Sequence, residues 1–320
     1  NIISFFNRSV LVVIVFIVSI IVGNLYINGD QIAYTRVYEQ IRSYELLEAF
    51  VYYANSLSSV EIFHFITIYI FSDLLPKNIL FSFVNALFTF LVIRYFDKLK
   101  VNFFVTSIFI LTNFYIYVLF FAAERLKFGF ILLLFGLCLQ KDGKLKSSII
   151  LASVLGHLQM AVVIAPMIFE IVFLKIKEVF SQKKIRFNIL NLFSSAIFAL
   201  LIFYIFSTLL DSFLLKLAAY KQESSLSEFL RIFLFFILAL WYAKKDNNTF
   251  KAILYFIPII VAIYFIGGDR VNIIAYIYFL YFALRYNNGL NIGILITSIY
   301  FFGKMVMFLS SINQLGHGFG

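Results

Sequence analysis

Glu124-Arg125 interrupts an apolar stretch between Phe121 and Phe128, and Leu126-Lys127-Phe128-Gly129 then continues as the start of a helix. A guanidinium fixed at a helix N-terminus points its charge and the helix dipole at the same spot. That spot suits an anion, and phosphate above all, because the planar fork supplies two parallel hydrogen bonds. The alternative is an interfacial Arg that snorkels to water or pairs with Glu124. Gly267-Gly268-Asp269-Arg270 forms a tight connection whose glycines permit a turn that aims Arg270 inward, or is simply a hairpin turn capped by a polar pair. Arg231 follows Glu228 by three residues, a spacing that an ion pair within one helix also explains.

Two groups are candidates for moving a proton. His157 stands beside Gly156 in a long apolar run with Gln159 two residues on. An ionisable group inside such a run is a functional candidate, and a neutral His hydrogen-bonded between helices is the other reading. Asp30 and Tyr34 are four apart and able to share a helix face, unless they belong to a solvated loop helix. His64, in Glu61-Ile62-Phe63-His64-Phe65, reads as a packing residue. There is no phosphate loop with a Lys, no Asp-x-Asp pair, no His-Glu-x-x-His helix and no nucleophile elbow. The single Cys138 excludes a disulfide framework and a cysteine-rich metal site. No metal or cofactor is therefore expected, and an activated donor has to arrive from the lipid phase or from outside.

The elements that hold these groups follow from composition. The 320 residues are 63% hydrophobic and 13% charged, with mean hydropathy +0.98. A soluble domain is nearer 45–50% apolar and about 25% charged, so much of the exterior must face lipid. Three prolines, 14 glycines and unbroken runs of Phe, Ile, Leu and Val favour helices over the alternating pattern of a barrel. The expectation is an all-α, polytopic integral membrane protein forming one domain over 1–320, with about 9 to 11 transmembrane helices. Runs of crossing length are 9–27, 78–95, 101–121, 125–140, 188–210, 229–243, 252–266, 271–286 and 290–309. The first is read as a retained span, too long and too uniformly apolar for a signal-peptide core.

Basic clusters at Arg8, Arg94 to Lys100, Lys141 to Lys146, Lys175 to Arg186, Lys244 to Lys251 and Arg285 hold 16 of the 26 Lys and Arg, against four acids. By the positive-inside rule they are cytoplasmic, so the net charge of +10 marks a membrane face beside anionic lipid and not nucleic-acid binding. The N-terminus is then inside and the C-terminus outside. Residues 28–60 form a first periplasmic loop with an amphipathic helix, and 211–228 a second. The runs 44–72 and 147–174 have both flanks on one side. Each is a re-entrant or broken hairpin, interrupted at Asn55 to Ser59 and at Gly156-His157 with Pro166, or else a steep crossing plus an interfacial helix. Breaks at membrane depth imply an external polar cavity.

The order of features resembles the EpsG-like and Wzy-type bacterial O-antigen or capsular polysaccharide polymerases. The resemblance runs through Gly29-Asp30 with Tyr34 and Tyr38, Glu45 and Phe50, Arg125, Gly156-His157, and Gly268-Asp269-Arg270, over roughly residues 10–285. Leu126-Lys127 departs from it, since polar and small residues are more usual after the Arg. It implies a metal-independent glycosyltransferase of the bacterial inner membrane, acting on the periplasmic face. Such an enzyme joins undecaprenyl-pyrophosphate-linked oligosaccharide repeats. Arg125 and Arg270, with Arg36 or Arg231, would hold the pyrophosphate, and Tyr34, Glu124 and Asp269 would line the substrate. His157, or its rival Asp30, would serve the acceptor hydroxyl. The implied partners are lipid-linked donor and acceptor and membrane lipid, and can include a chain-length regulator protein, with no nucleic acid. Two other classes compete: a flippase or transporter of the same lipids, against which no internal repeat is visible, and a membrane acyltransferase, which lacks its His-rich pairing here.

Overall fold

The computed structural model describes residues 2–140, 143–182, 226–266 and 268–319. Their regular elements are all helical, with no strand among them. In chain order the helices are α1 (Ile2–Leu25), α2 (Asp30–Gln40), α3 (Leu46–Leu57), α4 (Ile62–Phe71), α5 (Lys77–Lys98), α6 (Phe103–Thr112), α7 (Phe114–Tyr117), α8 (Glu124–Cys138), α9 (Lys144–Gly156), α10 (Met160–Gln182), α11 (Leu226–Lys245), α12 (Thr249–Ile266), α13 (Gly268–Ala283) and α14 (Ile292–Leu315). Three stretches are long and apolar enough to cross a membrane, Phe5–Leu25, Lys77–Lys98 and Tyr286–Leu315, or five if each of two bent pairs is one span. The expected run 188–210, and nearly all of the loop 211–228, lie outside the described residues.

The residues form two compact units, 1–161 with 283–320, and 162–282. In the first, α5 packs on α1, α8 packs on α5 and α9, and α14 packs on α6 and α7. Charge marks one end of this bundle. Arg8 near the start of α1 donates to Asp97 at the end of α5 at 2.6 Å, and Lys98 donates to the Leu137 and Leu139 carbonyls at the end of α8. The loop after Arg285 reaches the same end, where the Asn102 amide donates to the Asn288 carbonyl. At the other end of α1, Ile27 and Asn28 amides donate to the Gly316 carbonyl. Gly316 closes α14 at φ +72°, a left-handed conformation that favours glycine. Of the basic clusters that sequence assigned to one face, those at Arg8, Arg94 to Lys100 and Arg285 thus meet at one end of the first unit.

Both bent pairs have local causes. The α3–α4 pair turns by 119° at Ser58 to Glu61, where Ser58 is left-handed at φ +47°. This realises the expected break in 44–72, though Asn55 to Leu57 remain helical. The run 101–121, expected as a single crossing, instead bends by 58° at Asn113. Asn113 ends α6 in an extended conformation, and its side chain accepts the Tyr115 amide at 3.0 Å, beginning α7. The polar side chain competes with the continuing helix for that amide. In 147–174 the break is at His157 to Gln159, as expected, but Pro166 sits inside α10 and interrupts nothing in the assigned helix.

The amphipathic α2 buries Gln31, Tyr34, Val37 and Tyr38 and exposes Ile32, Arg36 and Glu39. Its buried face joins Tyr53 and Leu57 of α3, Phe65 and Ile68 of α4, Phe81 of α5 and Phe128 of α8 in one apolar core. Burial of these large side chains at roughly 1.5–3 kcal/mol each is what docks α2 to α4 on the bundle. In the second unit α11 packs on α12, Tyr278 donates to the Val163 carbonyl at 2.7 Å, and Glu170 takes Lys251 at 2.8 Å and the Tyr255 hydroxyl at 3.0 Å.

Candidate functional site

Four segments far apart in sequence meet at the end of the first unit away from Arg8 and Asp97: α2, the α3–α4 break, the start of α8 and the α9–α10 turn. The local reason starts before α8. The chain leaves α7 through a wider π turn, Val118–Ala122, and Ala123 is non-helical. Such a turn frees carbonyls that need side-chain donors. Gln31 supplies one to the Phe121 carbonyl at 2.9 Å, and Lys127 supplies one to the Phe120 carbonyl at 3.1 Å. The α9–α10 turn is held close by glycine. A methyl group on Gly156 would lie 2.7 Å from the Gly129 amide nitrogen, so α8 and α9 touch backbone to backbone. Only small residues allow that approach, and it carries His157 to the level of Arg125.

Arg125 is spoken for within the fold. Its Nη1 donates to Glu61 Oε2 at 3.1 Å and to the Leu57 carbonyl at 3.4 Å, and its Nε donates to the Tyr34 hydroxyl at 3.2 Å. The guanidinium also stands 5.5 Å from the Tyr34 ring centroid. Burial pushes the Tyr34 hydroxyl up to about 12, while Arg125 pulls it down. Arg125 pairs with Glu61, not with its neighbour Glu124. Glu61 was read only as part of the His64 segment, and nothing in spacing points from 61 to 125.

His157 faces the other oxygen of Glu61, with Nε2 at 3.6 Å from Oε1. Its Nδ1 accepts the Gln159 amide at 3.1 Å. An amide donor needs a lone pair, so the neutral ring carries its proton on Nε2, toward the carboxylate. Both ring nitrogens therefore face protein groups, and His157 takes up a proton at Nδ1 only by releasing Gln159. His64 is buried among the Tyr53, Phe81 and Phe128 rings with Nδ1 3.0 Å from the Tyr53 hydroxyl, which fits a packing role.

A second polar cluster begins at Glu124. Its Oε1 accepts Gln31 Nε2 at 2.8 Å and lies 3.7 Å from Lys77 Nζ. Lys77 also donates to Gln31 Oε1 and, at 3.3 Å, to Thr35. Lys127, the residue that departs from the family pattern, is wholly buried and donates to Asn85, whose amide reaches Ser19 at 3.1 Å. Sequence could have flagged Lys127 as an ammonium in an apolar helix; for Lys77 and Gln31 there was no signal. A void of about 20 Å³ lies among these groups, and a wider cleft of about 660 Å³ opens beside it, bordered by Arg36, Arg42, Lys77 and Glu39.

Asp30 is exposed at the first turn of α2, and Tyr34, one turn further along the same helix, is buried. Arg36 is exposed on the cleft. Arg231 belongs to the second unit, where its Nε donates to the Ser227 carbonyl at 3.3 Å. Asp269 and Arg270 are in the first turn of α13, and their side chains lie outside the described residues. Among the described residues no group of three or more His, Cys, Asp or Glu is placed to hold a metal ion. Comparison with family models, with curated proteins and with solved structures finds no match to this chain.

Proposed function

We propose that the chain is a glycosyltransferase that polymerises polysaccharide repeats carried on undecaprenyl pyrophosphate, at the periplasmic face of a bacterial inner membrane. In this reading the chain crosses the bilayer about 9 to 11 times, with broken hairpins around an external polar cavity. One observation carries the reading. Tyr34, Arg125 and His157, three of the residues on which the family resemblance rests, converge on one polar cluster around Glu61 although Tyr34 and Arg125 are 91 positions apart.

The reaction joins the acceptor's hydroxyl oxygen to the donor's anomeric carbon. The bond from that carbon to the pyrophosphate oxygen breaks, and the hydroxyl proton passes to a base. Cationic groups that stabilise charge developing on the leaving pyrophosphate supply the main catalytic term. The resemblance puts Arg125 and Arg36 of the first unit in that role, and Arg125 enters it by exchanging its Glu61 contact for the phosphate. Glu61 holds Arg125 and fixes the His157 tautomer, so His157 acts by orienting or accepting once Gln159 releases Nδ1, and Asp30 is the alternative base. A chain-length regulator protein fits as a partner.

Purified protein supplied with undecaprenyl-linked repeats, without nucleotide or metal, is expected to make polymer, and His157→Ala to stop at single repeats. Movement of the lipid across vesicles without elongation would replace this reading by a flippase.

A further inference from the structure

The cleft formed by the end of α1, by α2 and by the start of α5 has a polar floor, a cationic wall and an apolar rim. Its volume of about 660 Å³ is that of a small-molecule site. Three cations, Arg36, Arg42 and Lys77, border it against one acid, Glu39. Arg36 is exposed, and Arg42 meets Asp73 outside the cleft lining at 3.4 Å through a pair that is itself exposed, so water competes with that contact. Lys77 reaches the floor from the first turn of α5 with its side chain 11% exposed. Its contact with Thr35 is long, at 3.3 Å. An incoming anionic oxygen can replace Thr35 as acceptor while the hydrogen bond to Gln31 and the 3.7 Å ion pair with Glu124 remain. On the rim, Ile27 and Ile32 are 62% and 52% exposed, directly after the apolar α1.

We propose that this cleft binds a phosphate or diphosphate group borne on an apolar chain. Lys77 takes the head group from below and Arg36 and Arg42 from the sides, since guanidinium matches phosphate geometry. Ile27 and Ile32 lie along the chain where it leaves toward the bilayer. The site differs from the Arg125 cluster, whose guanidinium is held by Glu61, Tyr34 and Leu57. It rests on the transferase reading only for the identity of the natural ligand.

The test uses the full chain in neutral detergent micelles and three probes: farnesyl diphosphate, inorganic pyrophosphate and farnesol. Farnesyl diphosphate is expected to bind about tenfold more tightly than pyrophosphate, and farnesol not at all, because head and chain each contribute. Arg36→Gln with Arg42→Gln is expected to weaken farnesyl diphosphate at least tenfold, and Lys304→Gln on α14 to leave it unchanged. Lys77→Gln is expected to weaken it similarly, and the exposed Arg pair keeps the test decisive if that variant misfolds. Absence of binding by either diphosphate, or binding indifferent to the Arg36 and Arg42 changes, overturns the site. Equal binding of both diphosphates overturns the lipid-borne half and leaves a free-phosphate site. Elongation that survives loss of this binding sinks the cleft alone; binding without elongation sinks the transferase alone.

Discussion

Removing Glu61 tests whether the Arg125 cluster holds the α3–α4 break against α8. The two side chains are 9% and 16% exposed, so their pair sits in a much drier setting than a surface bridge. Breaking a buried pair by deleting one partner typically loses about 3–5 kcal/mol, because the other charge is stranded. Arg125 would keep the Tyr34 hydroxyl and the Leu57 carbonyl, which places Glu61→Ala at the lower end, about 3 kcal/mol. Arg125→Ala leaves the Glu61 carboxylate facing the His157 ring at 3.6 Å without its guanidinium, and about 3–4 kcal/mol is expected. The double variant should then be less damaged than the sum by about 2 kcal/mol, the coupling of neighbours that share one charge pair. Midpoints of unfolding by denaturing detergent in mixed micelles measure all four corners of the cycle. A coupling below about 0.5 kcal/mol would mean that the pair behaves as an exposed one, and the account of Arg125 as structurally committed would fail.

Gly156→Ala is expected to destabilise by about 3 kcal/mol, since its methyl meets backbone at 2.7 Å, and Gly129→Ala by a similar amount, since its methyl meets the Cγ of the fully buried Met160 and the Ser153 carbonyl at 3.2 Å. Gly303→Ala, with open space around it in α14, should be neutral or stabilising by up to about 1 kcal/mol, and unfolding midpoints rank the three. Lys127→Met should retain more stability than Lys127→Ala by about 2 kcal/mol, because Met fills the buried volume that Ala leaves empty; equal loss would show that only the charge matters there. Tyr34 keeps its proton to about 12 when folded against an ordinary 10, so its contribution is complete below pH 10 and lost as pH rises from 10 to 12. Tyr34→Phe should flatten the stability profile in that window, and an unchanged slope would contradict the burial argument.

The convergence on Arg125 explains which side of the molecule is legible in one dimension. Hydropathy reports burial in lipid residue by residue, so helical class, the long spans α1, α5 and α14, and the break near Ser58 follow directly from composition and local polarity. The start of α8 at Glu124 was equally visible, as an ion pair in sequence interrupting Phe and Leu. The bend at Asn113 was missed because one polar side chain capping an amide scarcely alters the mean hydropathy of its run.

Partnership belongs to the fold alone. Glu61 and Arg125 are 64 positions apart, Lys77 and Gln31 are 46, and Lys127 and Asn85 are 42. No periodicity links such positions; they meet because Gly129 and Gly156 let α8 and α9 touch and because the apolar face of α2 docks on α3 to α5. Sequence determined that the chain is helical, apolar enough for a membrane, and furnished with an Arg and a His at interruptions of its runs. Tertiary structure decided that this Arg is held by a carboxylate and that the His turns its lone pair to the backbone. It also decided that the open cations belong to a different cleft, because the destination of a buried charge is set by which helices pack around it.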